Sequence, residues 1–328
     1  MKLIVQIPAH NEAGMLPSVI KSIPRTIEGI DCVEILVIDD GSKDGTAQIA
    51  ADHGADHVVR LLSRKGLPLV YQTGIDTALR LGADVIVNID GDGQYRGDEI
   101  PLLIGPILRK EANIVVGDRQ TSTLEHFTDR KKMLQRLGSR VVRWASETDV
   151  PDTVSGFRAV DREAALRIFV TTDFSYTIES LIQAGKRRLT VAWVPISANP
   201  PTRASRLHSG NWDFVKRQAG TIVRTYATYE PFKTFTYLAL PWIVAGLLLL
   251  LRAAYVFIGR RFNVIQGVDN IQSLTLGIGS LMLGFLIFLI GLISDRIGGN
   301  RRLLEELLYR QRRSDLESIA WRREADEL

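Results

Sequence analysis

Short apolar runs and amphipathic stretches alternate over the first 120 residues of the chain. Leu3 to Ile7, Val33 to Ile38, Asp56 to Leu61, Asp84 to Ile89 and Asn113 to Val116 are compact runs rich in β-branched residues and bounded by turn formers, so each reads as a strand. Between them Ala13 to Ile23, Asp44 to Asp52, Leu67 to Leu81 and Asp98 to Arg109 carry apolar residues at helical spacing. This alternation predicts an α/β fold, Rossmann-like, with a mostly parallel sheet covered by helices on both faces. In the third helix Gly74, Ala78 and Gly82 recur every four residues, a spacing that permits close packing.

The pattern then changes. Asp129 to Ser146 reads as a basic amphipathic helix, with Met133, Leu137, Val141 and Trp144 on one side; its charged face suits either water or anionic lipid head groups. A helix begins in the run Phe174 to Glu179, a strand spans Leu189 to Val194, and Asn211 to Tyr229 has the periodicity of a helix lying in a membrane interface. Phe235 to Leu251 and Ile271 to Ser294 contain no charged residue. A bilayer core takes about 20 apolar residues as a helix, so both are expected to span it. Lys and Arg crowd the flanks outside this pair while the link between them holds only Arg260, Arg261 and Asp269, which places both termini in the cytoplasm and predicts an integral membrane protein, bacterial plasma membrane being the expected location. Arg301 to Arg323 is again helical, and its available partners are a second subunit in a homo-oligomer, the membrane or the catalytic domain.

Composition narrows the function classes. With 41 Lys+Arg against 37 Asp+Glu in 328 residues the chain is only mildly basic, and it holds no basic stripe interleaved with aromatics, so no nucleic-acid partner is expected. Cys32, the single cysteine, has no internal disulfide partner, and the five histidines lack zinc-ligand spacing. No G-x-G-x-x-G follows the first strand, which argues against a dinucleotide cofactor.

Chemistry concentrates at the strand ends. The fourth strand runs into Asn88-Ile89-Asp90-Gly91-Asp92-Gly93-Gln94, which puts two carboxylates at the carboxyl edge of the sheet, where open α/β folds bind ligands. Asp90, Asp92 and the amide oxygen of Gln94 are hard oxygen donors suited to Mg²⁺ or Mn²⁺, with other positions left for phosphate and water. The first strand ends in Pro8-Ala9-His10-Asn11-Glu12 and the second in Asp39-Asp40-Gly41-Ser42, followed by Lys43-Asp44-Gly45-Thr46. Ser42 and Asp44 also qualify as helix caps. Lys65-Gly66 opens the third helix within reach of a nucleotide, and Arg119 follows the fifth strand at the same edge, where its planar fork suits a phosphate.

The runs I-P-A-H-N-E, V-I-D-D-G-S-K-D-G-T and N-I-D-G-D-G-Q, in this order, resemble the inverting family 2 glycosyltransferases of GT-A fold. The resemblance implies a nucleotide-sugar donor, with Pro8, Ala9, Asn11, Glu12, Asp39, Asp40, Lys65, Gly66, Asp90 and Gly91 at the nucleotide and Asp90, Asp92 and Gln94 at the metal. Asp149 to Ala159 contains a D-x-x-S-G-F-R run that resembles the acceptor-side loop of polyprenyl-phosphate glycosyltransferases, which implies Arg119, Thr153, Ser155, Arg158 and Ser205 at an acceptor phosphate. Asn199 to Arg206 resembles the R-x-x-G-x-S-K segment of that group but is shorter, lacks the glycine and has Arg206 in place of lysine. Asp90, Asp92, Arg119, Arg203 and Arg206 are thereby expected to serve catalysis.

A phosphate acceptor is also chemically sensible. A phosphate monoester, with its second pKa near 6, is already a dianionic nucleophile at neutral pH, so it calls for arginines more than for a general base. Arg140-Val141-Val142-Arg143-Trp144 lacks the glutamine of the Q-x-x-R-W segment of processive polysaccharide synthases, and two spans are few for a polymer channel. The expected enzyme is therefore similar to dolichyl-phosphate mannose synthases and undecaprenyl-phosphate glucosyltransferases, taking UDP-glucose or GDP-mannose. The expected organisation is a cytosolic GT-A domain over 1–208, a juxtamembrane helix over 209–234, two spans over 235–294 and a helical tail over 295–328. Rival readings are a family 2 enzyme acting on another lipid or a growing polysaccharide, and a membrane-tethered nucleotide-sugar sensor.

Overall fold

The computed structural model describes residues 1–120, 129–170, 175–199, 211–262 and 270–326. Two compact units emerge: Met1–Val223 with Leu307–Leu328, and Arg224–Glu306.

The first unit is built on a seven-stranded sheet. Its strands are β1 (Lys2–Ala9), β2 (Cys32–Asp39), β3 (His57–Arg60), β4 (Val85–Asn88), β5 (Ile114–Asp118), β6 (Arg158–Asp161) and β7 (Val191–Pro195), in the order β3-β2-β1-β4-β6-β5-β7. All neighbours pair parallel except β6, which runs antiparallel between β4 and β5. The predicted strands match these elements to within about two residues at each end. Leu3, Val5, Ile7, Val33, Ile35, Val37, Val85, Val87 and Val115 belong to one buried core cluster on one face of the sheet, and Ile4, Leu36, Ile38, Ile86 and Val116 are buried on the other, which explains why the strands read as continuous apolar runs.

Helices α1 (Leu16–Ser22), α2 (Thr46–Asp52), α3 (Leu67–Arg80), α4 (Ile100–Leu108) and α6 (Arg162–Arg167) flank the sheet, and α5 (Asp129–Ser146) packs against α7 (Tyr176–Lys186). Gly74 lies so close to β1 and β2 that a Cβ there would meet Gln6 Oε1 and, at 2.8 Å, Ile38 Cδ1, so the packing expected at this glycine is real. Gly82 differs: it follows α3 with φ +89° and open space around it, and serves the turn after the helix. On α5 Val142 and Ala145 are buried while Val141 and Trp144 are exposed; the side chains of Met133 and Leu137 lie outside the described residues.

Helix α8 (Asn211–Tyr229) precedes α9 (Pro231–Arg261), and α10 spans Ile271–Asp326. Both α9 and α10 contain segments long and apolar enough to cross a membrane. Within the second unit Gly277, Gly284 and Gly291 recur every seven residues on α10, and a Cβ at each would collide with Leu250, Ile243 and Phe235 of α9 at 2.9, 2.6 and 2.8 Å. Small residues on one face allow two backbones to approach without a hydrophobic driving force between them. The tail from Leu307 onward, for which three partners were open, belongs to the first unit. Tyr309 Oη donates to both Glu163 carboxylate oxygens at 3.2 and 3.0 Å, and Arg312 Nη1 donates to the Leu166 carbonyl at 2.9 Å.

Candidate active site

Because β1, β2 and β4 are parallel neighbours, their tips lie side by side, and β5 brings Asp118 and Arg119 to the same rim. The first two tips are sewn together. Asn11 N–H donates to Ser42 Oγ at 2.9 Å, Lys43 N–H to Asn11 Oδ1 at 3.0 Å, Glu12 N–H to Thr46 Oγ1 at 3.0 Å and Ala13 N–H to Asp44 Oδ2 at 3.2 Å. Asn11 holds a left-handed φ of +54°, which a short polar side chain tolerates. Ser42 thus ties two loops and caps no helix; Gly45 is the cap of α2, and Asp44 closes the turn by accepting the Thr46 N–H at 3.1 Å. Burial opposes the Asp44 charge, yet these bonds hold its pKa below the ordinary value of 3.8.

Asp39 is buried; its Oδ1 accepts the Ser42 N–H at 3.0 Å, and Oδ2 lies 3.5 Å from Arg60 Nε. The Asp40 oxygens accept the N–H groups of Lys65 and Gly66 at 2.6 and 3.0 Å. Lys65 and Gly66, placed by sequence at the nucleotide, therefore use their amides to hold Asp40, and the same bonds fix the start of α3. Gly41 is required here: a Cβ would lie 2.7 Å from the Ser63 carbonyl carbon.

At the third tip Asp92 Oδ1 accepts the Gln94 N–H at 3.0 Å. Gly91 sits 3.3 Å, at its Cβ position, from the Pro8 carbonyl, which packs this tip against the first. Asp90 Oδ1 is sealed from solvent with no hydrogen-bond partner among the described residues. Burial, then the Asp92 charge, push the Asp90 pKa up to about 7, while Arg119 draws it down.

The loop from Asp152 to Arg158 closes over Asp90. Asn88 Nδ2 donates to the Gly156 carbonyl at 2.8 Å and to Tyr176 Oη at 3.1 Å, while Gly156 N–H donates to Tyr95 Oη at 2.9 Å. The Tyr95 ring stacks on Phe157 with centroids 5.3 Å apart. Arg119 meets Asp152 through a bidentate pair, Nε to Oδ2 at 2.7 Å and Nη2 to Oδ1 at 3.0 Å.

Two expected acceptor-phosphate residues have other work. Arg158 is fully enclosed, and burial lowers its pKa. It donates from Nε to the Ser155 carbonyl at 2.8 Å, from Nη2 to the Thr153 carbonyl at 2.8 Å, and from Nη1 to the Thr177 carbonyl at 2.7 Å and Ser180 Oγ at 2.8 Å. Those bonds staple the loop to α7 and leave no guanidinium edge at the rim, because the run G-F-R continues straight into β6 and turns the side chain inward. Thr153 is buried too and donates to Ser139 Oγ at 3.3 Å. Ser155 Oγ is buried without a hydrogen-bond partner among the described residues. Arg203, Ser205 and Arg206 lie outside the described residues. The segment leading to them is held to the third tip: Asn199 N–H donates to the Gln94 carbonyl at 2.9 Å and its Nδ2 to the Gly93 carbonyl at 3.0 Å.

Sequence reasoning did not single out Asn88, Tyr95, Asp152 or Asn199. For Asn88 a signal existed, since an amide at the end of an otherwise apolar strand is unusual. Asp152 stood inside the acceptor-loop motif.

The rim suits a hard divalent cation. Asp90 offers an orphaned oxygen, Asp92 is partly exposed and Gln94 follows it. Among the described residues no group of three or more His, Cys, Asp or Glu side chains gathers around one point, so an ion at this rim would need further oxygen ligands from outside the protein.

Residues 4–169, about half the chain, match the glycosyl transferase family 2 model. The chain is therefore a glycosyltransferase. It belongs to family 2. It is 29% identical over 207 residues to the polyprenol monophosphomannose synthase of Mycolicibacterium smegmatis, covering 60% of this chain and 77% of that protein. It is equally 29% identical over 212 residues to a UDP-N-acetylglucosamine–dolichyl-phosphate N-acetylglucosaminyltransferase of Methanococcus voltae, covering 58% and 82%. The fold resembles glucosyl-3-phosphoglycerate synthase from Mycobacterium tuberculosis, solved with Mn²⁺, UDP-glucose and phosphoglyceric acid, with a TM-score of 0.54 and 24% identity over 69% of this chain and 78% of that one.

Proposed function

We propose that this protein is a membrane-bound inverting glycosyltransferase that moves a hexose from a nucleotide sugar, UDP-glucose or GDP-mannose, to the phosphate of a polyprenyl phosphate of undecaprenyl or dolichyl type. The observation that carries the reading is the meeting of the acidic tip Asp90-Gly91-Asp92 with Arg119 and the Asp152 to Arg158 loop on one sheet rim, in a chain with two helices fit to cross a bilayer. The two relatives named above use different sugars but both names specify a polyprenyl-type lipid acceptor, which supports the acceptor class and leaves the sugar to the test.

In the proposed reaction an acceptor phosphate oxygen attacks the anomeric carbon as the bond to the nucleoside diphosphate breaks, and the diphosphate leaves with the electron pair. Inversion would give a β-linked product from an α-linked donor. The first two tips hold the nucleoside, with Asp40 fixing the turn at Lys65 and Gly66. Mg²⁺ or Mn²⁺ at Asp92, with Asp90 and Gln94 beside it, would supply positive charge to the leaving diphosphate. Arg119 faces the charge that develops there, and the loop stapled by Arg158 shapes the acceptor side. The catalytic unit and both termini are assigned to the cytoplasm on the flanking charges.

The test offers purified protein a panel of UDP- and GDP-sugars with Mn²⁺ and undecaprenyl phosphate and identifies the lipid product by mass spectrometry. A phosphodiester-linked hexose is expected. Sugar found only in a lipid that resists mild acid would remove the phosphate acceptor.

A further inference from the structure

We propose that Asp152 is a positioning residue for glycosyl transfer, acting solely by orienting the Arg119 guanidinium at the rim; the proposal rests on the transferase reading above. Asp152 is 1% exposed and both of its oxygens are committed to Arg119, along the Nε and Nη2 edge of the fork. A planar guanidinium held on that edge has its remaining amino group, Nη1, directed away from the carboxylate. Nη1 makes no hydrogen bond among the described residues, and the Arg119 side chain keeps 17% exposure. Besides Asp152, the charged and titratable groups that act on Arg119 include Asp90 and Tyr95, which lie between the third tip and the Asp152 to Arg158 loop, and its chain neighbour Asp118. One edge of the arginine is thus anchored in the protein while its free amino group belongs to the rim.

The anchor is well placed for this task. Asp152 sits at the start of the acceptor-side loop, whose Thr153 and Ser155 carbonyls are fixed by Arg158 and whose Gly156 N–H is fixed by Tyr95. Arg119 directly follows β5, a rigid element. The pair therefore joins two immobile parts, and a flexible four-bond side chain is reduced to one orientation before any substrate arrives. Preorganised charge of this kind needs no reorganisation during reaction. A purely structural ion pair would hold the loop equally well, so the readout must separate the two.

A double-mutant cycle does so. Wild type, Asp152→Asn, Arg119→Gln and the double variant are assayed for transfer to undecaprenyl phosphate with Mn²⁺, together with Asp152→Glu, which keeps the charge and lengthens the arm by one methylene. Asp152→Asn and Asp152→Glu are each expected to lower kcat about 10- to 100-fold while the donor KM stays within about two-fold, since displacing a catalytic group by ~1 Å suffices for losses of this size. In the Arg119→Gln background Asp152→Asn should add nothing. Losses that multiply in the double variant, or full kcat in folded Asp152→Glu, would overturn the proposal. Should Asp152→Asn fail to fold, Asp152→Glu and the charge-neutral double variant still decide it. A wild type silent toward every donor would sink the polyprenyl-phosphate reading, and the proposal with it.

Discussion

Gly156 and Asp90 compete for the same space: a Cβ on Gly156 would lie 2.8 Å from Asp90 Oδ2 and 2.9 Å from Tyr176 Oη. Residue 156 is glycine because the Asp90 carboxylate and the Tyr176 hydroxyl occupy the space a Cβ would fill. Gly156→Ala should therefore displace Asp90 or open the loop, without disturbing the hydrogen bonds of the sheet. The expected outcome is a folded protein whose kcat has fallen about 10-fold or more, the scale of an ångström-sized misplacement. An alanine variant with wild-type turnover would show that Asp90 has no fixed role.

Asp90 and Asp92 differ in their surroundings, and the difference predicts different phenotypes. Asp92 is partly exposed and turned by its own bond to Gln94, so Asp92→Ala should chiefly weaken the response to the cation. Titrating Mn²⁺ against activity should show the half-saturating concentration rising at least 10-fold. Asp90, equally half-buried as a residue, has one carboxylate oxygen sealed from solvent and lies against Asn88, Gly156, Tyr95 and Arg119, so Asp90→Ala should abolish turnover at any Mn²⁺ concentration. Rescue of Asp90→Ala by excess metal would contradict this division.

How much of this was legible in the sequence depends on the range of the forces involved. Periodicity is a local signal, and it placed α5 at Asp129–Ser146 and α8 at Asn211–Tyr229 with the observed bounds. It also placed the strand tips, because a parallel sheet puts all its carboxyl ends on one edge. What it did not contain is which neighbours a short strand selects. β6 inserts antiparallel between β4 and β5, and that insertion carries Asp152 to Arg119 across 33 residues of chain and Asn88 to Gly156 across 68. Arg158 was placed at an acceptor phosphate by the resemblance of the D-x-x-S-G-F-R run, which says nothing of which way the side chain turns. Its burial is decided by the Thr177 carbonyl and Ser180 hydroxyl of α7, which no local pattern announces.

Asp44 gives a prediction with a defined pH sign. It joins the first two tips by accepting from Ala13 and Thr46, and its pKa is depressed in the folded protein. A depressed carboxylate contributes above its unfolded value, near 3.8, and loses the contribution as pH falls through the lower folded value. Nucleoside diphosphate binding by Asp44→Ala, followed by calorimetry, should therefore be weaker than wild type by a few-fold, with a constant ratio from about pH 5 to 8. Only in more acidic solution should the two proteins converge. A ratio that changes between pH 6 and 8 would assign the effect to another group.

The tail makes the last prediction. Tyr309 is nearly buried, with its hydroxyl on Glu163 and the Arg167 guanidinium 4.4 Å above its ring, and Arg312 caps the carbonyl end of α6 while pairing with Asp76 of α3. A helix end whose carbonyls lack an intrahelical partner gains from such a donor. Removing a charged donor from a buried carbonyl costs about 1.5–3 kcal/mol, so Arg312→Ala should loosen α6 and the chain after it, where Phe169 and Val170 are pinned to Gln183 and Gln72. Hydrogen exchange over Arg162–Val170 should accelerate about 10-fold or more in the full-length protein, while the β1 and β2 amides stay protected. Tyr309→Phe, which keeps the ring under Arg167 and loses only the hydroxyl, should have a smaller effect, about 1 kcal/mol. Unchanged exchange in Arg312→Ala would mean that α6 is held by the sheet alone and that the tail merely rests on it.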